Sequence, residues 1–175
     1  MFDLDTKVKD NVTIRTYDVP KLAEQHNISI EEVERRLAAG ERFEPITEQT
    51  AHNAITDVGL TLLVDRLINQ DSTTSRLTHF AVGTGVTASA DSDTALVTEV
   101  YRDQITYQAD VSTGQVTFMC YIPTAYPTTQ PVNIGEAGLF NASVAGTLFA
   151  RVLISPVVNK TNTISRTLTW NVTAS

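Results

Sequence analysis

Residues 55–68 read ITDVGLTLLVDRLI and, after a polar gap, residues 77–85 read LTHFAVGTG. In the first run Ile55, Val58, Leu62, Leu63 and Leu67 recur at helical spacing and form one apolar face. Thr56 suits the N-cap, and Asp57 in the first turn complements the helix dipole. The polar stretch NQDSTTS at 69–75 stops the run, so a helix is predicted over 55–69. The second run is a short strand ending on Gly83 and Gly85, which are read as a turn. A helix with one apolar face needs a sheet to lie on, and the chain beyond residue 76 supplies it.

That C-terminal part alternates with period two. Ile105, Tyr107, Ala109 and Val111 point one way and Gln104, Thr106, Gln108 and Asp110 the other, as in a strand with one buried face. The Ser-Thr-Gly run at 112–114 turns the chain back into Val116, Phe118, Cys120 and Ile122, a hairpin. Residues 123–131 form a loop with Tyr126 among three prolines. Gly135 and Gly138 sit inside a strand pattern at 134–140, where glycines suggest a bulge or a close backbone approach. Leu148, Ala150, Val152 and Ile154 follow in alternation. In the last strand Ile164, Arg166, Leu168, Trp170 and Val172 share one face. The expected class is mainly β: an antiparallel, jelly-roll-like β-sandwich with one packed helix and a small N-terminal helical hairpin. Its expected core is Val58, Leu62, Leu63, Phe80, Phe118, Leu168 and Trp170.

The N-terminal part reads differently. Residues 1–17 show no clear period and are expected to be an extended arm or edge strand. Asp18 caps a short helix with Pro20 in its first turn. Ser29 and Glu32 form a capping box, with Ile28 and Val33 as its hydrophobic staple, and Gly40 ends the second helix. Residues 41–54, broken at Pro45, read as a linker. The chain therefore divides into residues 1–45, a docking segment, and residues 46–175, the β domain. Leu22, Ile28, Val33 and Leu37, with Tyr126 in the proline loop, are the candidate partner-binding residues.

The helical pair resembles the helix-turn-helix of DNA-binding regulators. Its second helix, however, opens on Glu31, Glu32 and Glu34, which phosphates would repel. The chain of 175 residues carries a formal net charge of −7, a poor balance for a DNA backbone. No nucleic acid, membrane or cofactor partner is expected. No apolar run follows Met1, and none approaches the length of a membrane span. The one cysteine, Cys120, falls inside a strand and reads as a buried thiol.

A search for chemistry finds little. His26, His52 and His79 have neither metal-ligand spacing nor a neighbouring cysteine. The Gly83–Gly85 pair lacks the further residues of a nucleotide loop. Asp91, Asp93, Glu99 and Asp103 gather near one loop, but not at EF-hand spacing, and read as a solvated loop. No catalytic or metal-binding residue is assigned, and no enzyme is expected.

One resemblance spans most of the chain. The run ITDVGLTLLVDRL, the strand LTHFAVGTG, and the loop leading to DTALVTEVYR resemble bacteriophage tail proteins of the tail-fibre and baseplate type. The later IGEAGLF, GTLFAR and Thr-rich last strand match the same pattern, so the likeness covers about residues 50–173. It implies a virion structural protein of the tail, assembled in the host cytoplasm, that binds other tail, baseplate or fibre subunits. It also implies a homo-oligomer, most plausibly a trimer. Within that class the alternative is a capsid decoration or neck protein. From a different class, a carbohydrate- or receptor-binding module would use exposed aromatics, for which only Tyr101, Tyr121 and Tyr126 are suggestive.

Overall fold

The computed structural model describes residues 8–68 and 76–174. Among them the chain forms β1 (Val8–Asp18), α1 (Val19–His26), α2 (Ile30–Ala38), β2 (Thr47–Ile55), α3 (Asp57–Ile68), β3 (His79–Gly83) and β4 (Glu99–Gln104). It continues with β5 (Tyr107–Ser112), β6 (Gln115–Ile122), β7 (Val132–Phe140), β8 (Leu148–Lys160) and β9 (Ile164–Ala174). The protein is mainly β, as its alternation predicts. Its nine described strands run antiparallel in one sheet, ordered β4-β3-β7-β8-β2-β1-β9-β6-β5. Together they make one large curled antiparallel sheet.

The order explains the curl. The two outermost strands, β4 and β5, are joined by Ile105 and Thr106 alone. A two-residue link spans only about 7–10 Å, so the sheet must bend until its edges meet there. The Ile105 amide bonds the Thr78 carbonyl and the Thr106 amide bonds the Met119 carbonyl, both at 2.9 Å, tying the link to each half. The enclosed core draws on both halves: Phe80, Leu139, Val152 and Ile154 from one, and Val12, Ile14, Phe118, Leu168 and Trp170 from the other.

The N-terminal reading requires correction. Residues 8–18 are no arm: β1 lies between β2 and β9, with Val12 opposite Trp170 and Ile14 opposite Leu168. The expected linker contains β2, which joins the two halves by pairing with β1 and β8. A division at 45/46 therefore runs between β1 and β2, which pair with each other.

The hairpin forms where its caps place it. Asp18 Oδ1 accepts from the Lys21 amide at 3.1 Å, and Ser29 Oγ from the Glu32 amide at 3.2 Å. Gly40, at φ 87°, takes the left-handed conformation after α2. Leu22, Val33 and Leu37 are buried against Tyr17, Phe43 and Tyr121 on the outer face of the sheet.

Two further expectations change. Tyr107 and Val111 of β5 are exposed, because β5 is an edge strand with no layer over that face. Helix α3 is only lightly seated. Its first turn is fixed by Thr56, whose Oγ1 accepts from the Gly59 amide at 3.0 Å and donates to the Leu148 carbonyl at 2.6 Å. Leu62 is buried, but Leu63, expected in the core, is 41% exposed, and Leu60 and Val64 are exposed beside it. The side chain of Leu67 and the predicted stop at 69–75 lie outside the described residues.

Candidate functional site

Three features have the chemistry of a site: two clusters of buried charge and one exposed apolar face.

The first cluster crosses β7 and β8. Glu136 and Arg151 are both almost fully buried, and Glu136 Oε2 accepts from Arg151 Nε at 2.8 Å. The same carboxylate accepts from the amides of Gly85 at 3.1 Å, Val97 at 3.0 Å and Thr98 at 2.8 Å. Arg151 Nη1 reaches Asp93 Oδ2 at 2.8 Å, and Nη2 donates to the Thr87 carbonyl at 2.9 Å. The cluster pins the segment 84–98 over the outside of the sheet. Burial pushes the Glu136 carboxyl up, but the Thr98 and Val97 amides and the Arg151 guanidinium outweigh it and hold it below the usual range. Every oxygen of that carboxylate is occupied, so it is a clamp with no lone pair aimed at a substrate.

The clamp corrects two sequence readings. Asp93, expected in a solvated loop, pairs with a buried arginine. Gly83 and Gly85 do more than turn the chain: a Cβ on them would stand 2.5 and 2.4 Å from Glu136 Oε1. Both glycines are there to let the carboxylate in. Glu99 accepts from Arg102 at 2.8 and 2.6 Å, so two of the four acidic residues here, Asp93 and Glu99, meet arginines, while Asp103 accepts from the Tyr101 hydroxyl at 2.6 Å.

The second cluster lies where β8 and β9 meet the proline loop. Lys160 is fully buried, and Arg166 is 1% exposed. Lys160 Nζ donates to the carbonyls of Thr124 at 3.1 Å and Thr161 at 2.9 Å; Arg166 Nη2 donates to the Asn159 carbonyl at 2.6 Å. Burial, reinforced by the charge of Arg166, pushes Lys160 down to about 8, against the pull of Glu34; burial alone pushes Arg166 down to about 10. Glu34 of α2 is held nearby by the Thr124 amide and hydroxyl, both at 2.7 Å.

The third feature is the open flank of α3. Leu62 and Leu63 face Leu77, Phe118, Phe149 and Val172 across a groove of about 320 Å³, with Arg66 and Arg76 at its rim. Leu60 and Val64 extend the apolar surface outward.

The predicted partner-binding residues do not converge on any of these. Leu22, Val33 and Leu37 are consumed by packing within the chain, and Ile28 is half-buried against the same cluster. Leu22, Val33 and Leu37 therefore present no free apolar surface in this chain. Tyr126 is exposed, but stacks on Tyr101 with ring centroids 5.1 Å apart. Tyr121 is buried. On α2, Glu32 bonds Arg35 at 2.7 and 2.8 Å and Arg36 at 2.6 Å, and Glu41 lies 3.5 Å from Arg36, so both arginines of the DNA-like helix are paired with carboxylates. Among the described residues, no group of three or more His, Cys, Asp and Glu side chains gathers in metal-binding geometry, and no helix is long and apolar enough to cross a membrane.

Compared with family models, curated proteins and solved structures, the chain matches none.

Proposed function

We propose that the chain is a non-enzymatic structural subunit of a tailed-phage virion, a tail-fibre or baseplate component that docks on neighbouring subunits. The observation that carries this reading is the apolar flank of α3, where Leu60, Leu63 and Val64 stand exposed together beside an apolar groove. Contiguous exposed apolar surface of this kind marks an interaction site. Two further observations support it. Two charged residues within the tail-protein-like motifs, Glu136 and Arg151, spend their bonds on bracing the fold. The resemblance itself runs through the helix whose face is left open.

The docking surface thus moves from residues 1–45 to α3, and the partner is another tail, baseplate or fibre subunit, including copies of the chain in a trimer. Sedimentation velocity of the purified chain, together with immunogold labelling of purified phage particles, tests the proposal. Self-association that Leu63→Asp abolishes, or label on the tail that the same variant removes, is the expected result. A chain that neither self-associates nor appears on particles overturns it.

A further inference from the structure

A cleft of about 370 Å³ opens on the outer face of the sheet, beside the end of α2. The strand registers build its floor. Arg15 stands opposite Thr167, Thr169 opposite Met119, and Met119 opposite Tyr107, so outward side chains of β1, β9, β6 and β5 lie side by side. The turn after α2 walls one side: a Cβ on Gly40 would stand 3.3 Å from Met119 Cε, and Glu41 and Arg42 continue the wall. Two guanidinium groups line the cleft. Glu48 takes Arg15 only through Nε, at 2.6 Å. Among the described residues no hydrogen bond or ion pair takes up Arg42. The neighbouring carboxylate, Glu41, lies 3.5 Å from Arg36. Both charges bear on one point: burial raises the Tyr17 phenol, while the Thr167 hydroxyl, Arg15 and Arg42 pull it down. Thr117 and Thr169 add hydroxyls to the floor. Tyr107, 52% exposed, adds an aromatic ring from the edge strand.

We infer that this cleft binds a sugar acid, a ring that carries hydroxyls and one carboxylate. The class follows from the lining. Guanidinium groups favour carboxylates, which they meet with paired N–H bonds. Threonine hydroxyls both donate and accept, as sugar hydroxyls do. Tyr107 and Met119 offer apolar surface to the face of a ring. An inorganic anion would leave the aromatic and the hydroxyls unused, and a neutral sugar would leave Arg42 unmet. Small-molecule pockets run from about 300 Å³ upward, so the cleft has room for such a ring. The inference is independent of what docks on α3, whose groove takes the inward side chains Val116, Phe118 and Val172 of the same strands.

The test follows the backbone amide NMR signals of the full, isotope-labelled chain at neutral pH. The probes are sodium glucuronate, glucose and sodium acetate, each titrated at matched ionic strength. The expected result is saturable shifts around Gly40, Met119 and Thr169 with glucuronate, and binding of glucose and acetate weaker by about tenfold, the worth of one charge-assisted hydrogen bond. Arg42 and Tyr107 are both exposed, so Arg42→Gln and Tyr107→Ala should keep the wild-type spectrum elsewhere. Arg42→Gln should cost about tenfold in glucuronate affinity and leave the glucose response unchanged. Tyr107→Ala should weaken both sugars. No saturable shift with glucuronate, or shifts confined to another part of the chain, overturns the inference. So does acetate binding as tightly as glucuronate, or wild-type affinity in both variants. A triglutamate peptide that displaces glucuronate at lower concentration would assign the cleft to an acidic protein segment and overturn the sugar acid.

Discussion

The α1–α2 hairpin and helix α3 exchange the roles their sequences suggest. The hairpin is short, charged and separated by a proline, yet Val33 and Leu37 are fully buried under it. Helix α3 is the more apolar of the two elements, yet Leu63 and Val64 are 41% and 53% exposed. The difference lies in what each element is set against. The hairpin leaves β1 directly through Asp18 and folds back over Tyr17 and Tyr121, so Val19, Leu22, Val33 and Leu37 are buried while Ile30 stays exposed. Helix α3 leaves β2 at Thr56 and is held by its first turn, and the sheet below it is already closed around its own core. Amphipathic spacing says that a face will be covered; it does not say whether the cover belongs to the same chain.

The largest test of this contrast is removal of residues 1–45. That deletion takes away β1, the strand between β2 and β9, and uncovers Trp170, which pairs with Val12. Loss of a central strand leaves ladder groups and core unpaired, so the truncated chain is expected to lose its cooperative unfolding transition altogether. Its Trp170 emission should shift to the red in the absence of denaturant. A folded, cooperative truncated domain would restore the idea of a detachable docking segment.

Leu37→Ala probes the hairpin alone. The side chain is fully buried, and truncating such a leucine costs about 2–5 kcal/mol. Urea denaturation at neutral pH measures it. A cost below about 1 kcal/mol would mean that the hairpin floats on the sheet.

Much of this architecture can be read from the residues, and the gaps have physical causes. Period-two alternation finds β6 and β9, and the Ser-Thr-Gly turn finds the β5–β6 hairpin. Cap chemistry places α1, α2 and the start of α3, because caps are local. Strand β1 is hidden because its partner β9 comes from the far end of the chain, and a pairing that distant leaves no mark in either segment alone. Strand β2 is hidden because it is built of Thr, Gln, His and Asn, held in place by its two ladders more than by apolar side chains. The alternation does put Arg166 on the same face as Leu168 and Trp170, which is the signal for its burial. Nothing comparable marks Glu136 and Arg151 as a pair, since they meet only across β7 and β8. The open flank of α3 is visible only once the sheet is seen to close without it.

Gly59→Ala tests how α3 is seated. A Cβ at this position would stand 2.2 Å from the Phe149 carbonyl oxygen, a backbone atom that cannot swing aside. The helix must therefore lift from β8, straining the Thr56 contacts at its first turn. Overpacking of this kind costs about 1–3 kcal/mol. Adding one methyl group to α3 should thus destabilise the chain more than removing a whole leucine side chain from its open flank. A neutral Gly59→Ala would show that α3 is not anchored by backbone contact.

The smallest expected effect on stability is that of Leu63→Asp, and it separates packing from docking. Leu63 sits one position beyond the buried Leu62, on the side of α3 that faces the groove and solvent. An aspartate there stays hydrated, so the change in unfolding free energy should fall within about 0.5–1 kcal/mol, mostly from helix propensity. The same charge placed in an apolar contact with another subunit would be desolvated and unpaired, which binding cannot tolerate. The variant should therefore keep the circular dichroism and urea midpoint of the wild type while losing self-association or incorporation into particles. A large loss of stability would return Leu63 to the core of its own chain. Unchanged assembly would move the docking surface off α3, leaving the exposed edge strand β5, with Tyr107 and Val111, as the next surface to probe.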